Sequence, residues 1–232
     1  MSQQPKAIVE LHDITRTYLQ GEIKVNAVSN LNLNINVGDF ATLCGPSGSG
    51  KTTVLNMIGA LDEPTAGVVS IEGQDLAKLN RSEVSALRRD RIGFVFQSYN
   101  LIPVLTAYEN AEFVLALQGV SVEERRERVM SILKEVGLEG LENRRPDEMS
   151  GGQQQRVAIA RAIVTRPAIV LADEPTANVD SATAEALLDL MQELNENEGA
   201  TFLFSTHDQR VIDRAKRVIH LRDGQLESDI LL

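Results

Sequence analysis

Leu31, Leu33, Ile35 and Val37 alternate with asparagines, the period-two pattern of a strand with one buried face. Gly38 and Asp39 then turn the chain into a second strand-like run, Thr42, Leu43 and Cys44, so antiparallel strands are expected early. Val54, Leu55 and Ile58 define one face of a helix ending at Gly59, and residues 68–71 resume as strand before a Glu72-Gly73 turn. Three later apolar runs, residues 168–172, 201–204 and 218–221, lack alternation and suit parallel strands covered on both faces. Between about residues 82 and 160 the pattern is mostly helical. Ser121 and Glu124 have capping-box spacing, and Val129, Ile132, Leu133 and Val136 recur at helical intervals. This stretch predicts a separate helical subdomain, with the charged run from Glu123 to Arg128 as its solvated face. Asp223 and Gly224 predict the turn of a late hairpin. There is no internal repeat and no low-complexity segment.

Composition narrows the class. A chain of 232 residues, 43% hydrophobic, buries a full core as one large domain with room for an inserted subdomain. Its formal net charge of −10 argues against broad electrostatic attachment to nucleic acid. Cys44 is the only cysteine, which excludes an intrachain disulfide and a multi-cysteine metal site, and its apolar surroundings predict an inert core thiol. The cytosol is the expected compartment. No apolar stretch approaches the roughly eighteen residues that span a bilayer, and the polar start Met1-Ser2-Gln3-Gln4-Pro5-Lys6 is unlike a signal peptide. A membrane role is therefore expected only through a partner chain.

Candidate chemistry concentrates in three places. Gly45, Pro46, Ser47, Gly48, Ser49, Gly50, Lys51 and Thr52 fit G-x-x-x-x-G-K-[ST], a loop whose backbone amides converge on nucleotide phosphates at the start of a helix. Lys51 is expected between the β- and γ-phosphates, with the Thr52 hydroxyl a Mg²⁺ ligand. A buried run then ends in Asp173 and Glu174, delivering carboxylates to the carboxyl edge of a parallel sheet. Asp173 would hold Mg²⁺ through water, and Glu174 would polarise the attacking water or accept its proton. Finally, Ser150, Gly151, Gly152 and Gln153 open a helix with a capping box, a start suited to an anion. His12 and His220 carry no motif and are expected to serve packing or the surface.

Together with Gln97 and His207, these motifs resemble the ATP-binding cassette family, the ATPase subunits of ABC transporters, over nearly the whole chain. Within that resemblance residues 45–52 match Walker A, with Thr53 in the second hydroxyl position, and residues 169–173 match Walker B, with Glu174 as catalytic glutamate. Residues 149–153 match the signature sequence, Gln97 the Q-loop glutamine and Mg²⁺ ligand, residues 177–180 the D-loop ending in Asp180, and His207 the switch histidine. Tyr18 falls where the family stacks an aromatic on adenine. Departures are mild: Met149 replaces the usual leucine, the D-loop reads Ala177-Asn178-Val179-Asp180, and Thr52-Thr53 stands for Ser-Thr. The wording of residues 96–110 and 172–178 is similar to the branch serving lipoprotein release and macrolide export.

The resemblance implies an α/β fold: a P-loop NTPase (RecA-like) core with a mixed sheet, an antiparallel β subdomain and an inserted α-helical subdomain. The boundaries expected are one domain over 1–232, with core and antiparallel parts over 1–90 and 161–232 and the helical part over 91–160. It implies ATP and Mg²⁺ as cofactors and a head-to-tail pair of identical chains with ATP between them. It also implies a permease docking near Phe96 to Leu105, and peripheral attachment to the inner face of the cell membrane. Two classes remain: the energising subunit of a membrane complex for export, extraction or force transmission, and a soluble cassette ATPase acting on ribosomes or DNA. Those soluble relatives carry paired cassettes or long coiled-coil or basic insertions, which this chain lacks.

Overall fold

A computed structural model describes residues 6–21 and 23–232; the polar start over Met1 to Pro5 lies outside the described residues. The alternating segment forms β2 (Ile23–Asn36), antiparallel to β1 (Ala7–Gln20), with Leu11 opposite Leu33. Strand β4 (Ala66–Ile71) pairs antiparallel on the other side of β1, and the short β5 (Gln74–Asp75) completes a sheet ordered β2-β1-β4-β5.

The second sheet is mixed and supports the site. Strands β3 (Phe40–Cys44), β6 (Ile92–Val95), β7 (Ile169–Asp173), β8 (Phe202–Ser205) and β9 (Arg217–Arg222) run parallel, and β10 (Gln225–Leu231) returns antiparallel to β9. The order is β10-β9-β3-β8-β7-β6. Period-two geometry divides each central strand between two cores. Phe40, Val170, Ala172, Phe202 and Phe204 face one core, whereas Ala41, Leu43, Ile169, Leu171 and Leu203 face the other. Both faces are dry, which explains why these runs show no polar alternation. Rings Phe40 and Phe204 meet edge to face with centroids 4.8 Å apart, a favoured aromatic arrangement.

Helix α1 (Lys51–Ile58) packs into the second core with the antiparallel sheet. Beyond α2 (Arg81–Arg91), helices α3 (Ala107–Leu117), α4 (Val122–Glu135), α5 (Gly151–Ile163) and α6 (Ser181–Glu198) contribute to the first core, and the short α7 (Gln209–Arg214) follows β8. Among the described residues no helix is long and apolar enough to cross a membrane.

Three readings change. Strand β6 interrupts the stretch expected to be helical and forms an edge of the parallel sheet. Only half of the Ser121 capping box forms: Ser121 accepts from the Glu124 N–H, while the Glu124 carboxylate pairs with Arg128. Arg125, expected on the solvated face, turns inward and donates to Glu112 of α3 at 2.7 Å and to the Val120 carbonyl at 2.7 Å. Cys44 is buried, with Sγ 3.2 Å from His220 Nδ1, and burial pushes its thiol pKa up.

Candidate functional site

Parallel strands place their carboxyl ends on one edge, and there the chain leaves β3 for the glycine-rich loop. Gly45 has φ 146° and Gly50 φ 98°. A β-carbon at Gly45 would lie 2.1 Å from the Leu221 carbonyl oxygen, and one at Gly50 2.5 Å from that of Ala27. The loop is therefore pressed between β9 and β2, and only glycine fits both positions. Lys51 opens α1, and its Nζ folds back to donate to the Gly45 and Pro46 carbonyls at 2.8 and 3.0 Å.

Pro46, Ser47, Gly48, Thr52 and Thr53 join these residues around a cavity of about 610 Å³, which Gln97, Glu174 and His207 also line. Ser49, within the loop, is buried. Asp173 ends β7, 3.3 Å from the Thr52 hydroxyl. Glu174 follows with φ 45°, a left-handed conformation uncommon for a side-chain-bearing residue, held by its N–H donating to the Ser205 carbonyl at 2.8 Å. Its Oε2 accepts from the Thr206 hydroxyl at 2.9 Å, and its Oε1 lies 2.6 Å from His207 Nδ1. Asp208 accepts from the Arg210 guanidinium and the Thr176 hydroxyl, Arg210 foremost, and its pKa is drawn down to about 2.

The residues fit a nucleotide and a hard cation. The glycine cradle leaves room for an anion against backbone amides. Ser205 lines the cavity, and its buried hydroxyl has no hydrogen-bond partner, as expected of a polar group beside a ligand site. Thr52 and Asp173 offer oxygen donors. Among the described residues no cluster of three or more His, Cys, Asp or Glu could hold a metal alone. That sparse set suits Mg²⁺, which takes one or two protein oxygens and draws the rest from phosphate and water.

Other expected site residues stand apart from the cavity. Ser150 and Gln153 form a full capping box on α5: Gln153 N–H donates to Ser150 Oγ at 3.3 Å, and Ser150 N–H to Gln153 Oε1 at 2.9 Å. A β-carbon at Gly151 would lie 2.7 Å from Tyr99 Oη, and one at Gly152 2.4 Å from Thr183 Cγ2, so these glycines let α5 start against α6. Asp180 caps α6, accepting from the Thr183 N–H and hydroxyl at 3.0 and 2.7 Å, and both bonds lower its pKa. Tyr18 donates to Asp62 at 2.5 Å, with the Arg16 guanidinium 4.6 Å from its ring centroid. Three residues escaped sequence reading. Ala27 and Ser205 line the cavity and Thr206 holds Glu174; for the last two, adjacency to His207 was the available signal.

Comparison with known proteins agrees with this geometry. A family model described as ABC transporter matches residues 28–177. The ABC transporter ATP-binding protein MJ0796 of Methanocaldococcus jannaschii is 48% identical over 226 residues, spanning 96% of each chain. The macrolide export ATP-binding/permease protein MacB of Syntrophobacter fumaroxidans is 47% identical over 225 residues, covering 96% of this chain and 31% of its own length. The dimeric, post-hydrolysis structure of MJ0796 bound to ADP and Pi matches with TM-score 0.89 over 97% of this chain and 98% of that one.

Proposed function

The chain belongs to the ABC transporter family as an ATP-binding cassette, and from that premise we propose that it energises a membrane complex for export, lipid or lipoprotein extraction, or force transmission. Two copies pair head to tail, each ATP lying between the phosphate loop of one and the Ser150 helix start of the other. The carrying observation is that Ser150, Gly151 and Gly152 open a helix suited to an anion yet do not line the chain's own cavity. A second copy supplies what each cavity lacks, and the relative MJ0796 is dimeric in its solved structure.

In this reading Lys51 and the amides of residues 45–52 hold the phosphates. Thr52, Asp173 and Gln97 hold Mg²⁺, which when bound neutralises phosphate charge. Glu174 accepts a proton from the attacking water, and His207 orients the γ-phosphate. Tyr18 packs against the base, and Asp180 serves the neighbouring copy's site. Loss of the shared phosphate lets the pair open. Motion leaves through the junction between the parallel sheet and the helical stretch that follows β6, where Gln97 lies. A permease segment docks near residues 96–105, where Val104 is exposed, and holds the cassette at the inner face of the membrane. The MacB relative combines ATP-binding and permease in one protein of which this chain matches about a third.

The test is Glu174→Gln. The variant should bind ATP, hydrolyse it at least about a hundredfold more slowly, and accumulate as a dimer in gel filtration with ATP. Wild-type turnover, or a monomer with ATP bound, would overturn the reading.

A further inference from the structure

Glu174 is held by two partners of very different freedom. His207, 2.6 Å from Oε1, has a side chain 77% exposed, whereas Thr206, 2.9 Å from Oε2, is 0% exposed. A hydroxyl has one proton to give. The Thr206 oxygen already accepts the Asp208 N–H at 3.0 Å, so its own proton is free to be directed at Glu174. Asp208 is fixed in turn by Thr176 at 2.9 Å and by Arg210. The loops after β7 and β8 are thus cross-tied: Thr206 reaches Glu174, Thr176 reaches Asp208, and the Glu174 N–H reaches the Ser205 carbonyl.

Resting on the reading of Glu174 as the base and His207 as the phosphate contact, we propose that Thr206 is a positioning residue for hydrolysis: it pins Oε2 so that Oε1 receives the water's proton. A carboxylate's last torsion is broad and nearly two-fold, so without a fixed partner the two oxygens exchange freely. His207 leaves Oε1 when it turns to the γ-phosphate; Thr206, fully buried, stays. The water oxygen then bonds to the γ-phosphorus and its proton passes to Oε1. The electron pair of the broken P–O bond departs on the β-phosphate oxygen of ADP.

The test compares Thr206→Val, which removes the hydroxyl at constant shape, with Thr206→Ser, which keeps it; Thr206→Ala repeats the valine arm should valine disturb the packing around this buried position. Losing a hydrogen bond to a charged group should lower kcat about tenfold to a hundredfold, with KM within about twofold and most of the loss recovered by serine. In a Glu174→Gln background, Thr206→Val should cost no further turnover and leave ATP-dependent dimerisation intact, because its effect runs through the base. A merely structural role would instead raise KM or weaken the double variant's dimer, and either result overturns the inference. Wild-type turnover by Thr206→Val beside an inactive Glu174→Gln removes the inference alone. Wild-type turnover by Glu174→Gln removes the underlying reading.

Discussion

Replacing Asn110 with alanine removes a buried amide that organises the loop leading into α3. Asn110 is 1% exposed. Its Oδ1 accepts the Ile102 N–H at 2.8 Å, and its Nδ2 donates to the carbonyls of Ile102, Leu105 and Thr106 at 3.2, 3.0 and 3.0 Å. The Ile102 carbonyl also accepts from Leu105 N–H, and the Thr106 carbonyl from Asn110 N–H, so both keep a partner after truncation. The Ile102 N–H and Leu105 carbonyl lose theirs. Two orphaned groups at about 1–1.5 kcal/mol each put the cost near 2–3 kcal/mol, a fall in Tm of about 5–10 °C for a chain of this size. Asn110→Asp should be worse, because a carboxylate faces three carbonyl oxygens with no proton to offer. Urea and thermal denaturation followed by circular dichroism measure both variants, with fluorescent ATP binding as a control that should stay within about twofold, since Asn110 does not line the cavity. An alanine cost below about 1 kcal/mol, or an aspartate variant more stable than the alanine one, would refute this account.

Two further perturbations probe the loop and the acid edge. Gly45→Ala sets a β-carbon against the Leu221 carbonyl, whereas a β-carbon at Gly48 meets nothing within 4 Å. ATP affinity by fluorescence titration should therefore fall about tenfold to a hundredfold for Gly45→Ala and clearly less for Gly48→Ala, whose φ of 81° leaves only backbone strain; equal losses would contradict the wall described. Asp208, held at about 2 against an ordinary 3.8 chiefly by Arg210, contributes stability that is complete above pH 3.8 and drains away as pH falls towards 2. Asp208→Asn should flatten the acid limb of urea stability between about pH 5 and pH 2.5 by roughly 1–2 kcal/mol after solvent screening, and an unchanged limb would count against that tie.

Much of the scaffold was legible because its strands carry strong local signals. Leu31 to Ile35 alternate, and the runs at β7 and β8 are apolar on both faces, so burial is written directly into residue type. Strand β6 was illegible for a physical reason. Its four residues follow α2 without a break, and their partner in the ladder, β7, lies almost eighty positions away. Gly93, which weakens the local pattern, is required because a β-carbon there would lie 2.5 Å from the Ala162 carbonyl of α5. At the site, the loop glycines, Lys51 and the paired acids could be read as spacing. The Thr206 bond could not, since it depends on two loops being brought side by side by neighbouring parallel strands. The Ser121 box looked complete in sequence, but Glu124 found a stronger partner in Arg128, a competition spacing alone does not rank.

The walls of the glycine-rich loop come from distant parts of the chain. Leu221 backs Gly45, Gly224 N–H donates to the Ser49 carbonyl at 3.2 Å, and the Gly224 carbonyl accepts from Ser29 N–H at 2.8 Å. During synthesis a ribosome therefore delivers the loop long before the hairpin that braces it. Until β9 and β10 emerge, the nascent polypeptide carries the fuel-gripping sequence without its support, so the bracing of the loop waits on residues 217–231.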